Sequence, residues 1–157
     1  MTDTLKSICE QCTHLRNPQL EFLPQESQRQ KRIILRDLRE LVGAASNEQE
    51  RSVVLLAGGL FETVLYSFIQ GQTEYISARR GAEFRFHPGH DLSNFISIFN
   101  TWFSDISRVP DTVVRYRNTI HINCELNSDE EICPRGARDL LRQLNLLLGA
   151  LEGYSRV

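Results

Sequence analysis

Apolar residues recur three and four positions apart along almost the whole chain, and no stretch shows the strict alternation of a half-buried strand. The first such run predicts a helix from about Asp3 to Asn17, with Leu5, Ile8, Cys12 and Leu15 along one side and Asn17-Pro18 ending it. A second helix starts near Gln25 and turns Ile33, Ile34, Leu38, Leu41 and Val42 inward. Arg29, Lys31, Arg32, Arg36 and Arg39 fall on its other face, interleaved with Asp37 and Glu40, the pattern of a solvated surface. Asn47-Glu-Gln-Glu50 has the form of a capping box opening a long third helix. There Val53, Val54, Ala57, Leu60, Phe61, Val64, Leu65 and Phe68 cover an arc wide enough to require packing on several sides. Gly58-Gly59 in its middle costs roughly 1 kcal/mol per glycine relative to alanine. That cost predicts a close approach by another helix, of this chain or of a second subunit.

The third helix is expected to fray between Gly71 and Arg80, and Gly81 to His90, with Arg85, His87 and His90, reads as a loop. A fourth helix begins at Asp91 and uses Leu92, Phe95, Ile96, Phe99, Trp102 and Phe103. Pro110 and Asp111 suit the first turn of a fifth helix, whose core candidates are Val113, Val114 and Ile120. Ser128-Asp-Glu-Glu131 is a capping box for the last helix, unless Pro134 delays its start, and Ala137, Leu140, Leu141, Leu144, Leu147, Leu148 and Leu151 are its apolar face. The expected architecture is all-α, an up-and-down bundle of five to six helices forming a single domain over residues 1–157, with the N-terminal helices of 1–46 packed on the remainder.

Composition changes this picture little. With 157 residues, 41 % of them hydrophobic and 24 % charged, the chain suits one domain burying about two-thirds of its unfolded surface. The net charge of -2 excludes a protein that coats nucleic acid by bulk charge, but leaves room for arginines gathered on one face. Lys6 and Lys31 are the only lysines; the arginine bias suits fork-shaped recognition of phosphate and equally a GC-rich coding sequence. Met-Thr-Asp-Thr-Leu-Lys has no basic region followed by an apolar core, and the apolar stretches around Val53–Leu60 and Leu144–Leu151 are too short and interrupted to span a bilayer. A cytoplasmic protein without a membrane partner is the expectation. Cys9-x-x-Cys12 with His14 raises the question of zinc, but Cys124 and Cys133 supply no second tight pair. Buried free thiols are expected, with no metal and no cofactor.

Chemistry concentrates in Arg115-Tyr116-Arg117-Asn118-Thr-Ile-His121. Guanidinium groups hold phosphate oxygens at any working pH, and imidazole is the side chain able to move a proton near neutrality. On an unbroken helix Arg117 and His121 are four apart and share a face, while Arg115 points away from His121. Glu62 on the third helix could fix Arg117 by a charge-assisted hydrogen bond. The same residues also suit a plain structural role: a buried Arg117–Glu62 pair, Asn118 ending its helix, His121 packed in a polar interface.

Two segments resemble HEPN-like domains (higher eukaryotes and prokaryotes nucleotide-binding). Leu55-Leu-Ala-Gly-Gly-Leu-Phe-Glu62-Thr-Val-Leu is similar to a core helix of that family, and Val114-Arg-Tyr-Arg-Asn-Thr-Ile-His121 is similar to its arginine–polar–histidine motif, with Asp91-Leu-Ser-Asn-Phe-Ile between them and a leucine-rich helix after. The resemblance covers residues 47 to 152. It implies a helical bundle that dimerises with the motif helices of two subunits facing across a cleft. Active members cut RNA without a metal, and others are non-catalytic binding modules or partners of nucleotidyltransferases. His121 then corresponds to the family histidine, Asn118 to the polar residue and Arg117 to the arginine, with Arg115 as a phosphate contact, Tyr116 beside it and Glu62 in support. The chain departs from the pattern in two places: Arg117 stands closer to His121 than is usual, and Asn123 occupies the place of the tyrosine found in members modified by nucleotidyltransferases.

These features make a homodimeric, metal-independent endoribonuclease of a prokaryotic defence or stress system the expectation. The alternative is a non-catalytic dimerisation or adaptor module binding a protein partner or RNA. A phosphate-cradling glycine loop, a nucleophile elbow and paired metal ligands four apart are all missing from the sequence.

Overall fold

The computed structural model describes residues 3–87, 89–118 and 132–154. Among these it has eight α-helices and no strand: α1 (Leu5–Gln11), α2 (Thr13–Arg16), α3 (Gln28–Ser46) after a 3₁₀ turn at Gln25–Ser27, α4 (Glu50–Gln70), α5 (Thr73–Arg80), α6 (Leu92–Trp102), α7 (Thr112–Asn118) and α8 (Ile132–Tyr154). The all-α bundle is as the periodicity implies. The count exceeds five to six because two expected helices are each broken once. The first breaks at Cys12, whose backbone leaves helical geometry (φ -89°, ψ 77°), so that α2 can dock on α8. There the His14 N–H donates to Asn145 Oδ1 at 2.9 Å. The second break follows Gly71, and the stretch expected to fray is a separate helix, α5, closed by Gly81 in the left-handed conformation (φ 75°) that glycine adopts without steric penalty.

Helix α4 is the axis. It packs against α3, α6, α7 and α8, and Val53, Val54, Ala57, Leu60, Phe61, Val64, Leu65, Phe68 and Ile69 along it are buried. By length and composition alone its 21 residues would cross a membrane, but 61 % of its apolar window is buried inside the bundle. Apolarity on nearly every side is also what a helix covered by four others requires. Phe68 is the aromatic centre of one end of the bundle. Its ring lies 5.0 Å from Phe103, 5.5 Å from Tyr154, 5.9 Å from Phe99 and 6.3 Å from Phe22, all edge-on, the arrangement that ring quadrupoles favour.

The turn from α3 to α4 differs from the sequence reading. Asn47 does not open α4; its side-chain amide donates to Gly43 O at 2.9 Å and closes α3, and no side chain caps α4. The next residue, Glu48, has φ 56°, a left-handed conformation that costs a non-glycine residue of order 1 kcal/mol. A glycine would sit there without strain, but only a carboxylate can do what Glu48 does. It accepts from the N–H groups of Leu5 and Lys6 at 2.9 Å each and so caps α1 across the fold, while Thr4 caps the same helix locally through Ser7 N–H. The Lys6 and Leu5 N–H groups hold the Glu48 carboxyl below the usual carboxylate range. A lowered native pKa contributes stability that is present above the unfolded value and disappears as pH falls through the native one. Glu48→Gln is therefore expected to lower the melting temperature at pH 7, with the gap from the wild type closing as pH drops below the carboxyl's ordinary 4.5. Parallel melting curves at pH 7 and pH 3 measure this, and a gap unchanged at pH 3 would exclude the carboxylate cap.

Candidate functional site

The motif helix α7 is seated between α4 and α8 on two glycines. Above Gly58 of α4 runs the aliphatic stem of Arg117, so that a Cβ at position 58 would lie 2.6 Å from Arg117 Cγ and 3.2 Å from its Cβ. Above Gly136 of α8 lies the ring of Tyr116, 2.9 Å from where a Cβ would stand. Gly58 therefore serves an approach within the chain, whereas nothing lies within 4 Å of a Cβ built on Gly59. That glycine faces outward beside Leu55, whose side chain is 59 % exposed.

Each seated side chain is tied down at its polar end. Arg117 Nη2 donates to Glu62 Oε2 at 3.1 Å, and the two side chains remain 34 % and 35 % exposed. That exposure keeps the pair in contact with solvent, and among the described residues Arg117 uses one of its five N–H donors. Tyr116 donates its hydroxyl proton to Asp139 Oδ2 at 2.9 Å. Burial first, and then the Asp139 carboxylate, push the phenol above its ordinary range and keep it protonated. Asp139 in turn lies 4.0 Å from Arg142, which bonds Asp3 at 3.1 Å.

The remaining predicted residues divide. Arg115 is exposed on the side of α7 that faces α6, where it borders an open groove of about 620 Å³ with Ser97, Asn100, Arg108 and Asp111. Asn118 is half-buried at the last described position of α7. Val113 is buried and Val114 half-buried. His121, Ile120, Asn123, Cys124 and the Ser128–Glu131 capping box lie outside the described residues. Cys9 and Cys12 are buried free thiols, and burial pushes Cys12 up to about 11 and raises Cys9, so the thiolate form a metal would need is disfavoured. His14 is committed elsewhere: its ring lies over Gly149, 2.8 Å from a Cβ there, with Nδ1 2.9 Å from Glu152 Oε2.

Sequence reading missed Gly136 and Asp139. The available signal was a glycine three positions before an aspartate, both inside a leucine-rich helix that gains nothing from either. No protein-family model, curated protein or solved structure matches the chain significantly.

The two adjacent glycines should respond with opposite sign. Gly58→Ala must push the Arg117 stem and with it α7, destabilising by about 1–3 kcal/mol. Gly59→Ala meets open space and should stabilise the dilute chain by up to about 1 kcal/mol through helix propensity. Denaturant unfolding of both measures this; destabilisation of equal size would refute the seat. Tyr116→Phe should lose about 1 kcal/mol with its hydrogen bond to Asp139.

Proposed function

We propose that the chain is a HEPN-like, metal-independent endoribonuclease acting as a homodimer, with Arg117, Asn118 and His121 as its catalytic residues. The observation that supports this best is Arg117 itself: its stem is fixed over Gly58, one guanidinium corner is held by Glu62, and about a third of the side chain remains exposed. A guanidinium fixed in place yet accessible is what charge stabilisation at a phosphorus centre needs, because its orientation is set before the substrate arrives. His121 takes the proton of the ribose 2′-hydroxyl, whose oxygen attacks the adjacent phosphorus. The bond to the 5′-oxygen breaks, and the second subunit's histidine returns a proton to that oxygen, leaving a cyclic phosphate and a free 5′-hydroxyl. Arg117 meets the charge on the phosphorane, and Asn118 donates to a phosphate oxygen.

The outward strip of α4, with Leu55 exposed beside Gly59 and next to the Glu62–Arg117 pair, supports the dimer: a bare backbone patch admits a second helix closely. The same strip favours the second reading, a non-catalytic adaptor that uses it to bind a protein partner.

The test is cleavage of a mixed RNA pool in EDTA by wild type, His121→Ala and Arg117→Ala, with the oligomeric state of each recorded. Wild type should cut. His121→Ala should lose about 10²–10⁴-fold at unchanged dimer content. Leu55→Glu should yield monomers that do not cut. A folded wild-type dimer that leaves RNA intact would support the adaptor reading instead.

A further inference from the structure

Helix α6 presents an uncharged outer face. None of its eleven residues is charged, and Ser93, Asn94, Ser97 and Thr101 are exposed along it. Two open grooves flank this face and share Ser97 as a common wall. The first, of about 460 Å³, is bordered by Arg80, Arg85, His87 and His90; the second, of about 620 Å³, by Arg108 and Arg115. The carboxylates lining them are Glu83, bound to Arg85 at 2.8 Å, and Asp111. Four arginines against these two carboxylates and Asp91, exposed where α6 begins, leave this face with an excess of positive charge in a chain whose net charge is -2. Among the described residues Arg80, Arg108 and Arg115 make no ion pair, and the Ser93 and Ser97 hydroxyls make no hydrogen bond. The polar groups of Asn100 and Thr101, in contrast, are already used. Asn100 pins Val109 by a pair of bonds at 2.8 and 2.9 Å, and Thr101 bonds back to Ser97 O.

We propose that a single RNA strand lies along α6, its phosphates held by Arg80 and Arg85 along one edge and by Arg108 and Arg115 along the other, over a floor of serine hydroxyls. The proposal rests on the ribonuclease reading for the identity of the strand and extends it from one cleaved bond to a substrate path, since Arg115 belongs both to this groove and to the motif helix. Guanidinium forks and hydroxyls are the usual phosphate contacts. A neutral helix about 16 Å long, with cations on both edges, matches one flexible backbone. The exposed His87 borders the track with a flat surface on which a base stacks, 5.4 Å from the ring of His90, which is packed against Phe86 and Phe95. The arginines of α3 offer no equivalent, because Asp37 and Glu40 are interleaved with them and the groove that Arg39 borders is walled by Leu35, Leu38 and Val42 rather than by hydroxyls.

The probe is a fluorescein-labelled oligouridylate of about twelve 2′-O-methyl nucleotides, which lacks the attacking hydroxyl, followed by anisotropy across a salt series. The triple variant Arg80→Ala/Arg85→Ala/Arg108→Ala should bind at least about tenfold more weakly at low salt. Its plot of log affinity against log salt should flatten by about 2, three contacts at roughly 0.7 each. Ser97→Glu, on an exposed position, should weaken binding by itself, and Arg29→Ala/Arg32→Ala/Arg39→Ala on α3 should bind as wild type. Loss confined to the α3 variant, equal binding by the triple variant, no binding by wild type, or equal competition by polyglutamate would each overturn the path. An all-ribose strand separates the two claims. Binding along α6 without cutting refutes the ribonuclease reading and leaves the path; cutting with undiminished binding by the triple variant does the reverse.

Discussion

The bundle is organised by the need to cover α4. Its 21 residues are apolar around most of their circumference, so the helix cannot lie on a surface. Helices α3, α6, α7 and α8 are the cover, and each takes a different arc. Coverage is closest where α4 has no side chain to separate the partner, and that place is Gly58. The motif helix is only seven residues long in its described part, too short to be stable by itself. Its position is borrowed from the two long helices beneath it. The geometry of Arg117 is therefore a property of the core as much as of the motif.

Glycines are used in the same way at three further contacts. Gly136 receives the Tyr116 ring, Gly149 the His14 ring and Gly71 the ring of Pro24, each with a hypothetical Cβ under 3.0 Å from the incoming side chain. At Gly136 and Gly149 a long helix gives up propensity worth roughly 1 kcal/mol to let a ring from a short segment lie flat against its backbone, whereas Gly71 stands just past the end of α4, where glycine costs no propensity. A polar group then locks the tip in two of them: Asp139 for Tyr116 and Glu152 for His14. Short segments, α2 and α7, which bury only Leu15 and Val113, are thus fastened to α8 by a backbone notch and by hydrogen bonds beside it.

Much of the core was legible because it follows the helical period: the apolar residues assigned to α4, α6 and α8 from spacing alone are buried, except the half-buried Trp102, and Asp91 does begin α6. The breaks were not. Cys12 carries no helix-breaking chemistry, and its departure from helical geometry serves a contact with α8 more than a hundred residues away, which periodicity cannot register. Asn47 illustrates a related limit. Asparagine can end one helix or begin the next, and here the chain direction of α4 left it to α3. Glu48 was read only as part of a capping box, yet it caps α1 from a left-handed backbone. The Glu62–Arg117 pair was legible from its chemistry, a carboxylate inside a largely apolar helix and an arginine in the motif. Asp139 was not, since its partner is a tyrosine whose neighbours are arginines.

The motif's two arginines settle into different surroundings for a reason of helix geometry. Residues two apart on an α-helix point about 200° from one another, so Arg115 and Arg117 cannot both reach α4. Arg117 faces Glu62 and is held by it; Arg115 faces α6 and is exposed in the groove there. A guanidinium already bonded to a carboxylate keeps its orientation but gives up part of its charge to that partner, which suits a group that must be in place before a reaction. One without an ion pair among the described residues keeps its full field, which suits capture of a mobile polyanion. Exchanging the two roles would require rotating α7 about its axis, and Gly58 and Gly136 hold it against rotation from both sides. The spacing Arg-x-Arg, ambiguous as a motif, is in the fold a division between a guanidinium held by Glu62 and one that makes no ion pair among the described residues.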